Sequence, residues 1–275
     1  MSLLMAGFSP HPPLAIPDIG RDNIKEVSDT IKSLKELANE VVESDPELLI
    51  TISPHGLVMR ESISIIDEKK TSGNFREFGF GNIGFEMEVD THFVDLLKKN
   101  ALSKDLHTIS LNDREGTRLD HGVLVPLYYL KEAGLKDIPI VPINMAFWDY
   151  HKLYDFGKVI NETIKEEGLK TVVIASGDLS HRLKPGAPAG YDENAIDYDE
   201  TLVSHIKNNE LDLIKDMDNG LIHRAGECGH RPMVILSGIL SEYEIESDLK
   251  SYEGPFGVGY AVASFKVNSG GIANE

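Results

Sequence analysis

The chain has 275 residues, 41% hydrophobic and 26% charged, a globular mix that excludes a disordered chain and suits one α/β domain. Its 27 basic residues face 45 acidic ones, a net charge of −18, so nucleic acid and anionic lipid are excluded as expected partners. The single cysteine, Cys228, excludes an internal disulfide framework and a Cys-rich zinc site, and it fits a reducing cytoplasm.

The apolar opening Ser2 to Phe8 is expected to be a strand. It lacks the basic region of a signal peptide and stops at Ser9-Pro10-His11-Pro12-Pro13. Asp22 to Val42 carries apolar residues at three-to-four spacing and predicts a helix. Leu48 to Ser53 predicts a strand ending at Pro54-His55-Gly56, and Ser62 to Asp67 another. Thr71 to Gly84 is Gly- and Phe-containing and is expected as loop with short strands.

A helix is expected over Asp90 to Lys99 and a short strand over Thr108 to Ser110. Asp120-His121-Gly122 opens a helix through Lys131, with Gly134 as its stop. Ile138 to Ile143 predicts a strand, Tyr150 to Glu167 a helix, and Thr171 to Ala175 a buried strand followed by Ser176-Gly177-Asp178-Leu179-Ser180-His181. Asp192 to Asn208 and Asp212 to Met217 predict helices, and Arg231 to Ser241 an apolar helix. Two strands, Glu242 to Tyr252 and Gly259 to Lys266, complete the pattern. No run of ~18 apolar residues is available to span a membrane. The alternation predicts an α/β fold with a mostly parallel or mixed central sheet flanked by helices. One domain is expected over 1–267 and a disordered tail over 268–275, and a homo-oligomer is plausible from exposed sheet edges.

Three of the ten histidines share one address. His11, His55 and His181 each follow the C-terminal end of a predicted strand, where open α/β sheets place their ligand crevice. Ser-Pro-His occurs twice, and proline at a strand exit stiffens the turn that must hold the imidazole. His121 opens a helix and joins them less directly. His92, His107, His151 and His205 fall in ordinary helical or strand text, while His223 and His230 flank the Glu227 segment. Two histidines and one carboxylate bind Fe(II) and leave positions open for substrate and dioxygen. Glu227, in Ala225-Gly226-Glu227-Cys228-Gly229, is the candidate carboxylate, with Cys228 competing as a soft ligand. A serine-hydrolase triad of Ser180, Asp178 and His181 is disfavoured, because no Gly-x-Ser-x-Gly elbow accompanies it.

These motifs, with Asp120-His121-Gly122 followed by Val125-Pro126-Leu127 the most specific, resemble the class III extradiol ring-cleavage dioxygenases, the superfamily of the protocatechuate 4,5-dioxygenase catalytic subunit. The likeness spans roughly Leu4 to Lys266. The opening Ser-Pro-His-Pro-Pro-Leu also looks like the dioxygenase-like half of AmmeMemoRadiSam system protein A, of which a stand-alone version is expected.

The resemblance implies a metal on His11, His55 and Glu227. It implies catalytic roles for His121 and His181, with Asp120 orienting the His121 loop. It implies Fe(II), with Zn or Mn as alternatives, and a catechol-type or aminophenol-type aromatic with dioxygen as substrates. His181 is expected to remove the substrate's second proton and return it later, and His121 to hydrogen-bond bound oxygen. Arg182 or Arg231 would pair with a substrate carboxylate, and Gly73 to Gly84 with Pro185 to Gly190 would shape the pocket. The alternatives are a zinc hydrolase on the same ligands and a non-catalytic metal-containing binding protein of the Memo type.

Overall fold

The computed structural model describes residues 2–112 and 117–272, with side chains to residue 268. The elements in chain order are β1 (Leu3–Ser9), α1 (Pro17–Gly20), α2 (Ser28–Glu43), β2 (Leu48–Ser53), β3 (Ile63–Ile66), β4 (Lys70–Phe75), β5 (Phe80–Glu88), α3 (Thr91–Ser103) and β6 (Thr108–Leu111). Then come α4 (His121–Glu132), β7 (Ile140–Asn144), α5 (Tyr150–Glu167), β8 (Thr171–Ser176), α6 (Ala195–Lys207), α7 (Asn219–Ala225), α8 (His230–Leu240), β9 (Tyr243–Glu253) and β10 (Tyr260–Ile272).

Eight strands form one mixed sheet in the order β6-β3-β7-β2-β8-β1-β10-β9. The central four, β7-β2-β8-β1, run parallel. Strands β2, β7 and β8 are buried at every position, which requires cover on both faces. Helices supply it: α2 packs on α4, while α3 and α8 pack on α5. The predicted α/β architecture is the one observed. Among the described residues no helix is long and apolar enough to cross a membrane.

Sequence and structure differ in five segments. Residues Arg21–Val27 wind as a 3-10 helix before α2 begins at Ser28. The stretch expected as loop over Thr71 to Gly84 lies within a hairpin of β4 and β5, tipped by a 3-10 turn over Arg76–Phe78. Asp212 to Met217 is likewise 3-10, and α7 was not anticipated. Strand β10 enters the expected tail as far as Ile272, which pairs with Tyr243, while residues 273–275 lie outside the described residues.

The register levels the strand ends. Ser9 of β1 pairs with Ser176 of β8, and Ser53 of β2 pairs with Asn144 of β7. Four parallel strands therefore stop at one edge, and the loops leaving it must meet.

Candidate metal centre

His11 lies two residues beyond β1 and is 1% exposed. Its backbone N–H donates to Asp178 Oδ1 at 2.9 Å, and its Nδ1 lies 2.7 Å from the Ser176 hydroxyl. Both partners stand on the β8 exit, so the neighbouring strand fixes the ring and leaves Nε2 facing inward. A second hydrogen bond of this kind is what orients histidines that bind metals.

His55 follows β2 in the same way. Its Nε2 is 2.9 Å from Nε2 of His11, with the rings edge to face at 81°. His121 is the first residue of α4, and its ring stacks on His55 with centroids 4.3 Å apart. Asp120 caps α4 by accepting the Gly122 N–H at 2.7 Å, and the same oxygen accepts the Ser53 hydroxyl at 2.6 Å. A Cβ on Gly122 would fall 2.3 Å from the Ser53 hydroxyl oxygen, so only glycine leaves room for this knot.

The β8 exit carries Asp178 and His181. A Cβ on Gly177 would lie 2.1 Å from the Cα of Gly229, so the exit rests directly against the loop before α8. The Gly229 N–H donates to the Asp178 carbonyl at 2.9 Å. This contact brings Cys228 Sγ to 3.5 Å from His11 Nε2 and 3.9 Å from His181 Nε2.

Electrostatics keep the imidazoles neutral. Burial lowers the pKa of His11, His55, His121 and His181, with neighbouring histidines adding to it for all but His55, and His121 falls to about 4. Neutral imidazole is the form that binds a metal or accepts a proton. Burial pushes the Cys228 thiol up, so it stays protonated unless a cation displaces the proton.

The donor nitrogens of His11, His55 and His121 all lie within 4.8 Å of one another. Two nitrogens bound at about 2.05 Å to one ion and at right angles would sit about 2.9 Å apart. The His11–His55 separation matches this, so the pair fits two adjacent positions on one octahedral ion.

The expected site residues divide into two groups. His11, His55 and His121 converge, with Asp120 beneath His121 and His181 beyond Cys228. Glu227 accepts the His230 N–H at 2.6 Å through Oε2 at the start of α8, its charged neighbours are Arg231 and Asp199, and burial raises its pKa to about 7. His230 is buried with Nδ1 3.3 Å from the Tyr198 hydroxyl. His92, His107, His151 and His205 pair with the carboxylates of Glu167, Asp105, Asp216 and Glu210.

A cavity of about 800 Å³ opens above the histidines. His55 and His121 form its floor, and residues Ser72 to Phe78 of the hairpin form a wall with Arg118. Neither Arg182 nor Arg231 lines it, nor does the 185–190 segment. Arg182 reaches the Arg224 carbonyl at 3.4 Å, and the Arg231 guanidinium lies over Phe147 and Tyr150. The wall arginines escaped sequence reasoning: Arg76 lies in the hairpin expected as loop, and Arg118 precedes α4 and reaches the wall only through its bridge to Ser72.

Comparison with known proteins places the chain among relatives. The family profile of the catalytic LigB subunit of aromatic ring-opening dioxygenase matches residues 5–263. Protein CA_C1420 of Clostridium acetobutylicum is 32% identical over 275 residues, covering 98% of this chain and 58% of that protein. A MEMO1 family protein of Methanocaldococcus jannaschii is 28% identical over 209 residues, covering 74% of this chain and 63% of the relative. The chain thus spans about three-fifths of the length of these relatives. The crystal structure of an uncharacterized protein from Escherichia coli K12 shares the fold, with a TM-score of 0.61 at 15% identity, over 96% of this chain and 99% of that one.

Proposed function

The chain belongs to the family of the catalytic LigB subunit of aromatic ring-opening dioxygenase, and from that premise we propose that it is a metal-dependent dioxygenase that opens a catechol-type or aminophenol-type ring with dioxygen. The observation that carries this reading is the convergence of three neutral histidines, two of which, His55 and His121, form the floor of an open cavity. When bound there, Fe(II) supplies the redox chemistry that joins dioxygen to the ring, with zinc or manganese as the alternative ion.

His11 and His55 are the fixed donors in this reading. Ser176 and Asp178 hold the first, and the stiff Ser53-Pro54 exit holds the second. His121 and Cys228 flank the pair on either side. His181, neutral and half-buried, is the base for the substrate's second hydroxyl proton and the acid that later returns it. His121 stands over His55, positioned to hydrogen-bond an oxygen on the substrate. The hairpin wall bounds the ring-binding space.

A second reading has an observation of its own. The thiol of Cys228 lies beside His11, and one oxygen of Glu227 is taken by the His230 N–H. A thiolate in place of the usual carboxylate suits a metal-containing binding protein without ring-opening chemistry, and the MEMO1 family relatives keep this in view.

Oxygen uptake by protein reconstituted with Fe(II) under anaerobic conditions, across a panel of catechols and aminophenols, tests the choice. The expected result is uptake matched by a ring-opened chromophore and lost in His181→Ala with iron retained. Stoichiometric iron with no uptake from any compound would overturn the dioxygenase reading in favour of the second.

A further inference from the structure

His11 and His55 are held by different means. Nδ1 of His11 meets the Ser176 hydroxyl at 2.7 Å, a hydrogen bond that orients the ring itself. Among the described residues, the ring of His55 has no hydrogen-bond partner other than His11. Its position must therefore come from the backbone that carries it.

That backbone runs beside β7 and its continuation. The Met145 N–H donates to the Ser53 carbonyl and the Phe147 N–H to the Met59 carbonyl, at 3.1 Å each. These two bonds pin both ends of the loop 54–58. Asn144, the last residue of β7, stands beside its middle and is 4% exposed. It pairs with Ser53 of β2 on one side and with Ser64 of β3 on the other.

The Asn144 side chain closes on the loop in two ways. Its Nδ2 donates to the Ser64 hydroxyl at 3.0 Å, and that hydroxyl donates its one hydrogen to the Leu57 carbonyl. The amide thus holds Leu57 through a single relay. Its Oδ1 lies against Gly56, where a Cβ would fall 2.0 Å from it. Gly56 has no positive φ, so room for the amide is what requires glycine there. Both residues after His55 are therefore fixed by one side chain, the first by contact and the second by relay.

We propose that Asn144 and Ser64 are positioning residues for His55, holding the Gly56-Leu57 backbone so that its Nε2 stays at the spacing from His11 that one ion needs. The inference rests on the reading of His11 and His55 as metal donors. A donor must be kept within about 0.5 Å of its place, and a loop pinned only at its ends does not do that. Neither residue touches the ion. They act through the main chain, as Ser176 acts through the ring of His11.

The test is Zn(II) affinity of the full chain, by competition with a chromophoric chelator, with the absorption spectrum of bound Co(II) as the report on coordination geometry. Asn144→Ala and Ser64→Ala should each weaken Zn(II) binding by at least about tenfold, the scale of lost outer-shell support. Because the two share one relay, the double variant should lose little more than the worse single variant. The Co(II) spectrum should change in Asn144→Ala. Ile65→Val is the control: it trims the core of β3 without touching the relay, and should keep both affinity and spectrum. Circular dichroism checks that every variant folds.

Native affinity with a native Co(II) spectrum in Asn144→Ala would overturn the proposal. So would losses that simply add in the double variant, or an equal loss in Ile65→Val, since either marks a general effect of stability. His55→Ala, measured alongside, separates the two levels. If it abolishes binding while Asn144→Ala stays native, this inference alone fails. If it keeps native affinity, the reading of His55 as a donor fails and takes the inference with it.

Discussion

Nε2 of His11 lies 2.9 Å from Nε2 of His55, forty-four residues further along the chain. Burial depresses both rings, so one neutral imidazole faces another, each with a single proton to place. A shared proton or a shared cation satisfies the pair. His11→Ala and His55→Ala should each reduce bound metal from about one ion per chain to near zero, with the far-ultraviolet dichroism unchanged. Metal analysis after anaerobic loading reads this directly, and retention in either variant would remove that residue from the donor set.

Glu227 makes the opposite forecast. Its carboxylate accepts the first free N–H of α8 and lies among Arg231, Asp199 and Tyr198. Glu227→Gln keeps an oxygen able to accept that N–H, so metal content should stay near native. Melting temperature should move by a few degrees at most, the scale of about 1 kcal/mol in a chain of this length. Loss of the ion in this variant would make the carboxylate a ligand after all.

Asp120 is the hub of the His121 turn, serving both Gly122 and Ser53 with one oxygen. Asp120→Ala removes a helix cap and leaves the Ser53 hydroxyl without its partner. A loss of about 2–3 kcal/mol is expected, combining about 1 for the cap with about 1–2 for the stranded hydroxyl. Urea denaturation measures it. Asp120→Asn, which still accepts one hydrogen bond, should cost less than half as much.

Asp199 gives the chain a pH dependence away from the histidines. It is fully buried, accepts the Ser180 N–H and the Tyr252 hydroxyl at 2.8 Å each, and burial raises its pKa from 3.8 to about 7. The folded state then holds a proton that the unfolded state releases near pH 4. The associated stability is present in full below pH 4 and is lost as pH rises through about 7. Asp178 and Glu227, also raised to about 7 by burial, act in the same direction. Asp199→Asn should flatten the fall in stability between pH 5 and 8, by about 1–2 kcal/mol, because the amide never ionises. Denaturation curves at the two pH values, at constant metal content, decide it, and an unchanged slope would contradict the assignment.

The floor of the site was legible because its signals are local. A strand, a stiff Ser-Pro turn and a histidine occur within about ten residues, and the parallel register does the rest. The Asp120 cap is equally local. What escaped was built by pairing across distance. Gly73, Gly79, Gly81 and Gly84 disguise the β4–β5 hairpin, because glycines and polar residues take positions where apolar ones would mark the covered face. The same masking hid Arg76, while Arg118 is unremarkable in its own segment. Glu227 and Cys228 are neighbours in the chain, yet a glycine-flanked turn sends one toward His230 and the other toward His11. No spacing rule separates two such residues.

The hairpin is an excursion that leaves the sheet after β3 and returns at α3, contributing no strand to the main eight. Ancestry can therefore edit it as a cassette. Lengthening, shortening or replacing residues 76–84 would retune which molecules are admitted while His11 and His55 keep the positions set by β1 and β2. Descendants of one scaffold could diversify their diets by trading this flap, and a laboratory graft between relatives would transfer appetite without rebuilding the hearth.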